Sequence, residues 1–381
     1  MMRKLCIFAV VLLMLLFSVG SIKVSAATTD NLQQDLADTV NADSLDLPDE
    51  LEELLGEHHC DLNDPATLLT LSPGELCSAL WDMAVDAAAA PLRLLGTLLM
   101  LTMLSAGLGS MGDACVGQRD LQRLLFLICS LVCVGIAAKP LCDCLHQTAT
   151  ALEDAKLFML SFVPVFTASV TASGHIASGI GYQTFLFFLI EAIGVLQTNL
   201  LFPAMQSAAA LSLADCINPA FSLHRIVEAI RKAVVWILGT VMTVFTALLS
   251  VRSFVAVSAD GLSAKTLKLL SAGLIPVVGS AVSDAYATLQ GSLRLMRNGI
   301  GVVGILAILW LMLPPLLTVL LYRAVFSIAA LPAEIFGTGS LAALYRNSAN
   351  VLSAAMAILI AFTMMMVLST ALMLLLLQGN Q

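Results

Sequence analysis

Charge is scarce in this chain: 12% of its 381 residues are Asp, Glu, Lys or Arg, and only 6% are aromatic. Soluble domains carry about 25% charged residues, so a soluble globular protein is excluded. From residue 27 to residue 92 there is no Lys or Arg at all, beside fifteen Asp and Glu. Enzyme signatures are missing as well. No G-x-x-x-x-G-K-[ST] loop, H-E-x-x-H helix or G-x-S-x-G elbow occurs, and no pair of carboxylates or serine-histidine set stands at an arguable spacing. The chain is therefore not read as an enzyme, and neither a cofactor nor a nucleic-acid partner is expected.

What is abundant is apolar surface. The hydrophobic set makes up 59% of the residues and mean hydropathy is +0.95. Uncharged apolar runs near 20 residues recur, each long enough to cross about 30 Å of hydrocarbon. The fold class is all-α: a polytopic transmembrane helix bundle with a small helical exported N-terminal region. Strong spans fall at 91–111, 121–138, 182–202, 234–250, 299–322 and 351–377. The last would run to about 40 Å, so it must tilt, project or pack against partners.

Three regions follow. Residues 1–26 read as a signal peptide: Arg3 and Lys4 precede an apolar run, and Val24-Ser25-Ala26 fits a cleavage site. Cleavage would remove Arg3, Lys4 and Lys23 and take the net charge from −8 to −11. Residues 27–90 form an acidic extracytoplasmic region of short amphipathic helices. One begins at the capping box Ser72-Pro73-Gly74-Glu75. Residues 91–381 form the multi-pass membrane domain.

Nine cysteines do not make a disulfide framework, because most sit in or beside spans; only Cys60 and Cys77 belong to the exported region. Cys142-Asp143-Cys144-Leu145-His146 and His58-His59-Cys60 lack the paired knuckles of a structural zinc site, and no metal is expected.

Two further apolar segments, 156–173 and 268–285, carry Pro164 and Pro276 at their centres. Proline lacks a donor and frees a carbonyl, so each segment is either a kinked span or a re-entrant pair of half-helices. The two align without gaps at an offset of 112, Lys156 on Lys268 and Pro164 on Pro276, and the same offset pairs Arg119 with Arg231. Possible repeats are thus 119–202 and 231–322. Broken helices at matching places are the mark of a substrate path in repeat-built transporters. Lys and Arg divide seven to eight between the two sides whether or not the broken segments cross. Orientation is left open, with six to eight crossings.

Candidate path-lining or structural residues are the polar groups set in apolar surroundings. Glu191 is the clearest, since a charged carboxylate at a helix centre costs about 2.5 to 3.5 kcal/mol on insertion scales. It should be protonated, paired or facing a wet cavity. Asn199 follows two turns later. Asp260-Gly261 is a turn signal, Lys268 opens the second broken segment, Gly279 permits close backbone approach and Asp284 closes it.

The pattern Asp260-Gly261, Lys268, Pro276, Gly279, Asp284-Ala285, together with Asn199 and Pro203 closing the preceding span, resembles the stage III sporulation protein AE family of endospore-forming bacteria. The likeness covers most of 91–377 and is weak in the exported region. Glu191 departs from it, since a neutral polar residue is expected there, and a strict proton-relay role is not implied. The resemblance implies a core component of a sporulation-specific secretion or channel complex in the mother-cell membrane around the forespore, needed after engulfment. Its implied partners are ring-forming and other membrane proteins, a cytoplasmic ATPase and the lipid bilayer. The residues alone favour a repeat-built secondary transporter of a small solute, which stays as the alternative. Pro276→Ala and Asp284→Asn are expected to lower spore yield more than substitutions in 27–90; normal yields from both at wild-type protein level would contradict the motif's importance.

Overall fold

The computed structural model describes residues 73–114, 119–172, 176–217, 223–274 and 279–378. The expected signal segment, the region up to Ser72 and Pro276 lie outside them. Seven α-helices account for nearly all the described residues: α1 (Pro73–Ala114), α2 (Arg119–Ala172), α3 (Ile176–Leu196), α4 (Phe202–Ile217), α5 (His224–Leu274), α6 (Gly279–Ile335) and α7 (Gly339–Gln378). A π-helical turn, Gln197–Leu201, joins α3 to α4 without a break in the rod. Among the described residues there is no strand.

Six stretches of these helices are long and apolar enough to cross a membrane: Met83–Gly107, Leu127–Thr171, Gly179–Cys216, His224–Val251, Gly299–Ile335 and Gly339–Leu372. Five of the six strong spans of the sequence lie within one helix each, and 182–202 runs from α3 through the π-helical turn to the first residue of α4. Long apolar side chains point outward on several of them, among them Met100 on α1, Phe188 on α3 and Trp236 on α5, which are 76%, 68% and 72% exposed. Contiguous exposure of that kind suits hydrocarbon, not water. Hydroxyls along the rods bond back to their own helix, as Thr102 does to the Leu99 carbonyl at 2.7 Å and Thr246 to Met242 at 2.8 Å. That local bond lets a polar side chain sit in an apolar setting.

The prolines do not divide the rods as the sequence suggests. Pro140 and Pro164 lie inside α2, which continues for 54 residues, and Pro314, Pro315 and Pro332 lie inside α6. Neighbouring helices and local adjustment let membrane helices absorb such residues. Pro164 therefore does not mark a re-entrant turn. The turn expected at Asp260-Gly261 is likewise absent, since both lie within α5; a glycine inside a helix costs only about 1 kcal/mol. On the second copy, α5 ends at Leu274 and α6 begins at Gly279. At the equivalent place in the first copy α2 is continuous, while Pro276 lies outside the described residues.

The bundle is built around α7. It packs against α6 most extensively, and also against α2, α4 and α5. Phe362, Leu359, Ala355 and Leu352 on it are buried, so the long last span is accommodated by the chain's own helices. The α6–α7 hairpin closes on Gly337, at φ +71°. Thr338 N–H donates to the Ala333 carbonyl (3.0 Å) and Gly337 N–H to Glu334 (3.1 Å), the paired bonds of a Schellman ending that glycine alone takes without strain. An Arg346–Glu334 ion pair clips the hairpin from outside. On α5 the buried positions Val227, Val234, Leu238, Phe245 and Leu249 alternate by seven and four, the seam spacing of one helix lying along another.

Close packing is tightest where α6 meets α2. Phe158, Phe162 and Phe166 stack along α2 with centroids 5.8 and 5.5 Å apart, and Tyr182 of α3 meets Phe166 edge-on at 5.8 Å. Phe162 is wholly buried, and its ring lies where a Cβ on Gly304 would stand, 2.2 Å away. Small residues at membrane-helix contacts permit this approach. Gly304→Ala must displace a ring held by two others, so it should destabilise the bundle by about 1 to 3 kcal/mol. A fall in the detergent melting temperature would show this, and an unchanged melt would mean that α2 and α6 are not in register as described.

Candidate functional site

Two polar loci stand inside or against the bundle. The first is at α2 and α3, where Lys156 Nζ lies 3.3 Å from Glu191 Oε2. Of the three states open to Glu191, pairing is the one found. The pair is not sealed: Glu191's side chain is 70% exposed and that of Lys156 is 31% exposed. Gly194 lies one turn on, and a Cβ there would come within 3.2 Å of the lysine ammonium. Gln197, buried, opens the π-helical turn that contains the exposed Asn199. Such turns frequently mark functional positions.

The second locus ties several helices to α7. Asp215, near the end of α4, is buried. Its Oδ1 accepts the Leu223 backbone N–H at 3.1 Å and its Oδ2 accepts Asn347 Nδ2 at 3.1 Å. One carboxylate thus joins α4 to the start of α5 and to α7. In the same layer of α7, the fully buried Tyr345 hydroxyl donates to the Leu98 carbonyl of α1 over a long 3.5 Å and lies 3.0 Å from Cys133 Sγ of α2. Two turns further into α7, Arg323 of α6 donates from Nε to Ser353 Oγ at 2.6 Å, and the Ser353 hydroxyl donates to the Ala349 carbonyl at 2.7 Å. Polar groups paired across helices in this way hold membrane bundles together.

Of the sequence candidates, Lys156's partner Glu191 is brought into contact, and Pro164 sits half-buried within α2. Asp260, Gly261 and Lys268 fall within α5, Gly279 opens α6 and Asp284 lies in its first turns; the side chains of that stretch lie outside the described residues, as does Pro276. Sequence reading missed Asp215, Asn347, Arg323, Ser353, Tyr345 and Cys133. For Asp215 a signal existed: a lone carboxylate closing the small-residue run Ala208 to Ala214. Among the described residues no three His, Cys, Asp or Glu side chains are grouped to hold a metal ion. On α2, Cys142 is exposed while Cys144 is buried.

Comparison with known proteins bears on what these loci serve. A family model described as Stage III sporulation protein AE (spore_III_AE) matches residues 67–376. The Stage III sporulation protein AE of Bacillus subtilis (strain 168) is 24% identical over 270 residues, which span 71% of this chain and 67% of that protein. No solved structure matches.

The two loci should respond differently to substitution. Asp215→Ala strips the buried Asn347 amide and the half-buried Leu223 N–H of their acceptor, at about 1 to 3 kcal/mol for the buried group left unpaired. Glu191→Gln loosens an outward-facing ion pair, worth less than about 1 kcal/mol. Melting of the purified protein in detergent should therefore drop sharply for Asp215→Ala and little for Glu191→Gln. Equal drops would remove the distinction between a structural and a peripheral locus.

Proposed function

The chain belongs to the stage III sporulation protein AE family, and from that membership we propose that it is the membrane core component of a sporulation-specific secretion or channel complex. A role in sporulation and a multi-pass membrane setting are the ground of the reading. Its finer parts are the site of action, the mother-cell membrane around the forespore, and the partners: ring-forming membrane proteins and a cytoplasmic ATPase that supplies energy. The acidic region 27–90 then faces the space between the two membranes, and the protein catalyses no reaction of its own.

One observation carries the reading above the rest. The family match runs from residue 67 to residue 376, through every described helix. The architecture supports an assembly role in a second way. A solitary permease was favoured by two prolines breaking helices at equivalent places, and α2 passes unbroken through Pro164. What the bundle offers instead is a rigid centre, α7, with outward apolar faces on α1, α3 and α5, a form suited to a scaffold for neighbouring membrane subunits.

The test is deletion of the gene in its own host, with wild type or Asp215→Ala returned. Deletion should stop forespore gene expression after engulfment and leave earlier stages intact, and wild-type protein should pull down other membrane proteins from sporulating cells only. Purified alone into vesicles it should move no small solute. Solute flux by the isolated chain, or normal spores from the deletion strain, would replace this proposal with the permease.

A further inference from the structure

One outward face of the bundle is polar at a depth where the helices behind it carry no charge. Along α2 the exposed positions recur every three or four residues, and from Lys139 onward they include Cys142, Asp143, His146, Thr150, Glu153 and Asp154. They share one face of the helix. Past Asp154 the same face turns apolar, at Leu157 and Leu160. Beside it the rod of α3 and α4 exposes Glu191, Asn199 and Gln206, and the outward-facing Lys156–Glu191 pair joins the two.

Contacts between helices fix the depth of this face. Cys133 of α2 meets Tyr345 of α7 at 3.0 Å, and Phe162 of α2 meets Gly304 of α6. Over the same stretch α6 and α7 are in register, with Arg323 on Ser353 and Gly301 against Leu374. On α2, which runs antiparallel to α6, Lys156 lies six residues before Phe162 and so comes level with residue 310. Asp143 comes level with Arg323. No charged residue lies between Arg297 and Arg323 on α6, and none follows Arg346 on α7. The ion pair therefore stands halfway along the uncharged part of α6, and the polar row leads from the level of Arg323 down to it.

Hydrocarbon does not solvate such a row. Ionisable side chains at this depth pair inside the bundle or face water, and here the first option is not taken: Asp143, Glu153 and Asp154 are exposed and have no salt bridge among the described residues. We infer that α2 and the α3–α4 rod form the wall of a water-filled recess that enters the bilayer at the level of Arg323, ends at the Lys156–Glu191 pair and admits small cations over anions. From Lys139 to Lys156 it is about 25 Å long. Leu157, Leu160 and Phe188, all exposed, make an apolar floor, so the recess stops within the membrane and no solute crosses by it. Three carboxylates free of ion pairs, against Lys139 at the mouth, set the preference for cations. The recess is independent of the sporulation reading.

Thiol labelling from water tests this on the purified full chain in liposomes, with a cationic and an anionic methanethiosulfonate supplied on both sides and the modified position located by peptide mass. The native Cys142 lies on the face, whereas Cys129, Cys133, Cys144 and Cys216 are buried. Cys142 and the Asn199→Cys variant should both be modified. Relative to rates with a free thiol, the cationic reagent should be favoured about tenfold at low salt. Leu160→Cys, past the floor, and Val244→Cys, on the apolar outer face of α5, should resist both reagents. All three substituted positions are exposed, so each variant should melt in detergent as wild type does, and Cys142 needs no substitution. Modification of Cys142 and Asn199→Cys no faster than that of Val244→Cys would overturn the recess, as would a preference for the anionic reagent. Labelling of Asn199→Cys in detergent but not in liposomes would show lipid or a second copy sealing the face, and would overturn it too.

Discussion

Hydrocarbon offers no hydrogen-bond partner, and this one constraint shapes the whole molecule. Every backbone group must be satisfied within a helix, and a buried side-chain donor is costly unless its own helix or a neighbour accepts from it. The apolar effect that drives soluble folding is weak between helices in lipid. Cohesion therefore comes from close packing and from a few polar clasps. Here both converge on α7. Gly304 admits Phe162 between α6 and α2, while Asp215 joins three helices through two hydrogen bonds 3.1 Å long.

The helices themselves were legible because their signal is composition over long windows. Six apolar runs with at most one charge each can only be buried in lipid or protein, and all six are helical throughout. Their ends and continuity were not legible. Pro164 and the Asp260-Gly261 pair carry strong local preferences for breaks and turns, yet α2 and α5 pass through them; a local cost of about 3 kcal/mol for the proline and about 1 kcal/mol for the glycine does not end a long helix. The candidate site followed the same division. Glu191 stood out because it interrupts an apolar run, but its partner Lys156 is 35 residues away, and no periodicity links them. Asp215 and Asn347 are 132 residues apart. Such pairs exist only once the helices are placed, and a one-dimensional reading cannot bring them together.

The structure also separates roles that the sequence merged. Polar residues in apolar surroundings first suggested one path through the membrane. Two different uses emerge instead: an outward ion pair beside a π-helical turn and a buried clasp at the helix ends. The clasp serves cohesion, and the ion pair faces outward. Together they leave a core centred on α7 whose outer apolar faces are available to lipid or to neighbouring helices.

The claim beneath all of this is that the chain is dissolved in lipid with α7 at its centre. Photolabelling from a lipid-borne crosslinker in reconstituted bilayers tests it most directly. Labels should map to the faces carrying Met100, Phe188 and Trp236 and spare Leu359 and Phe362 of α7. Labelling of α7 at these buried positions as strong as that of the outer faces would contradict the account.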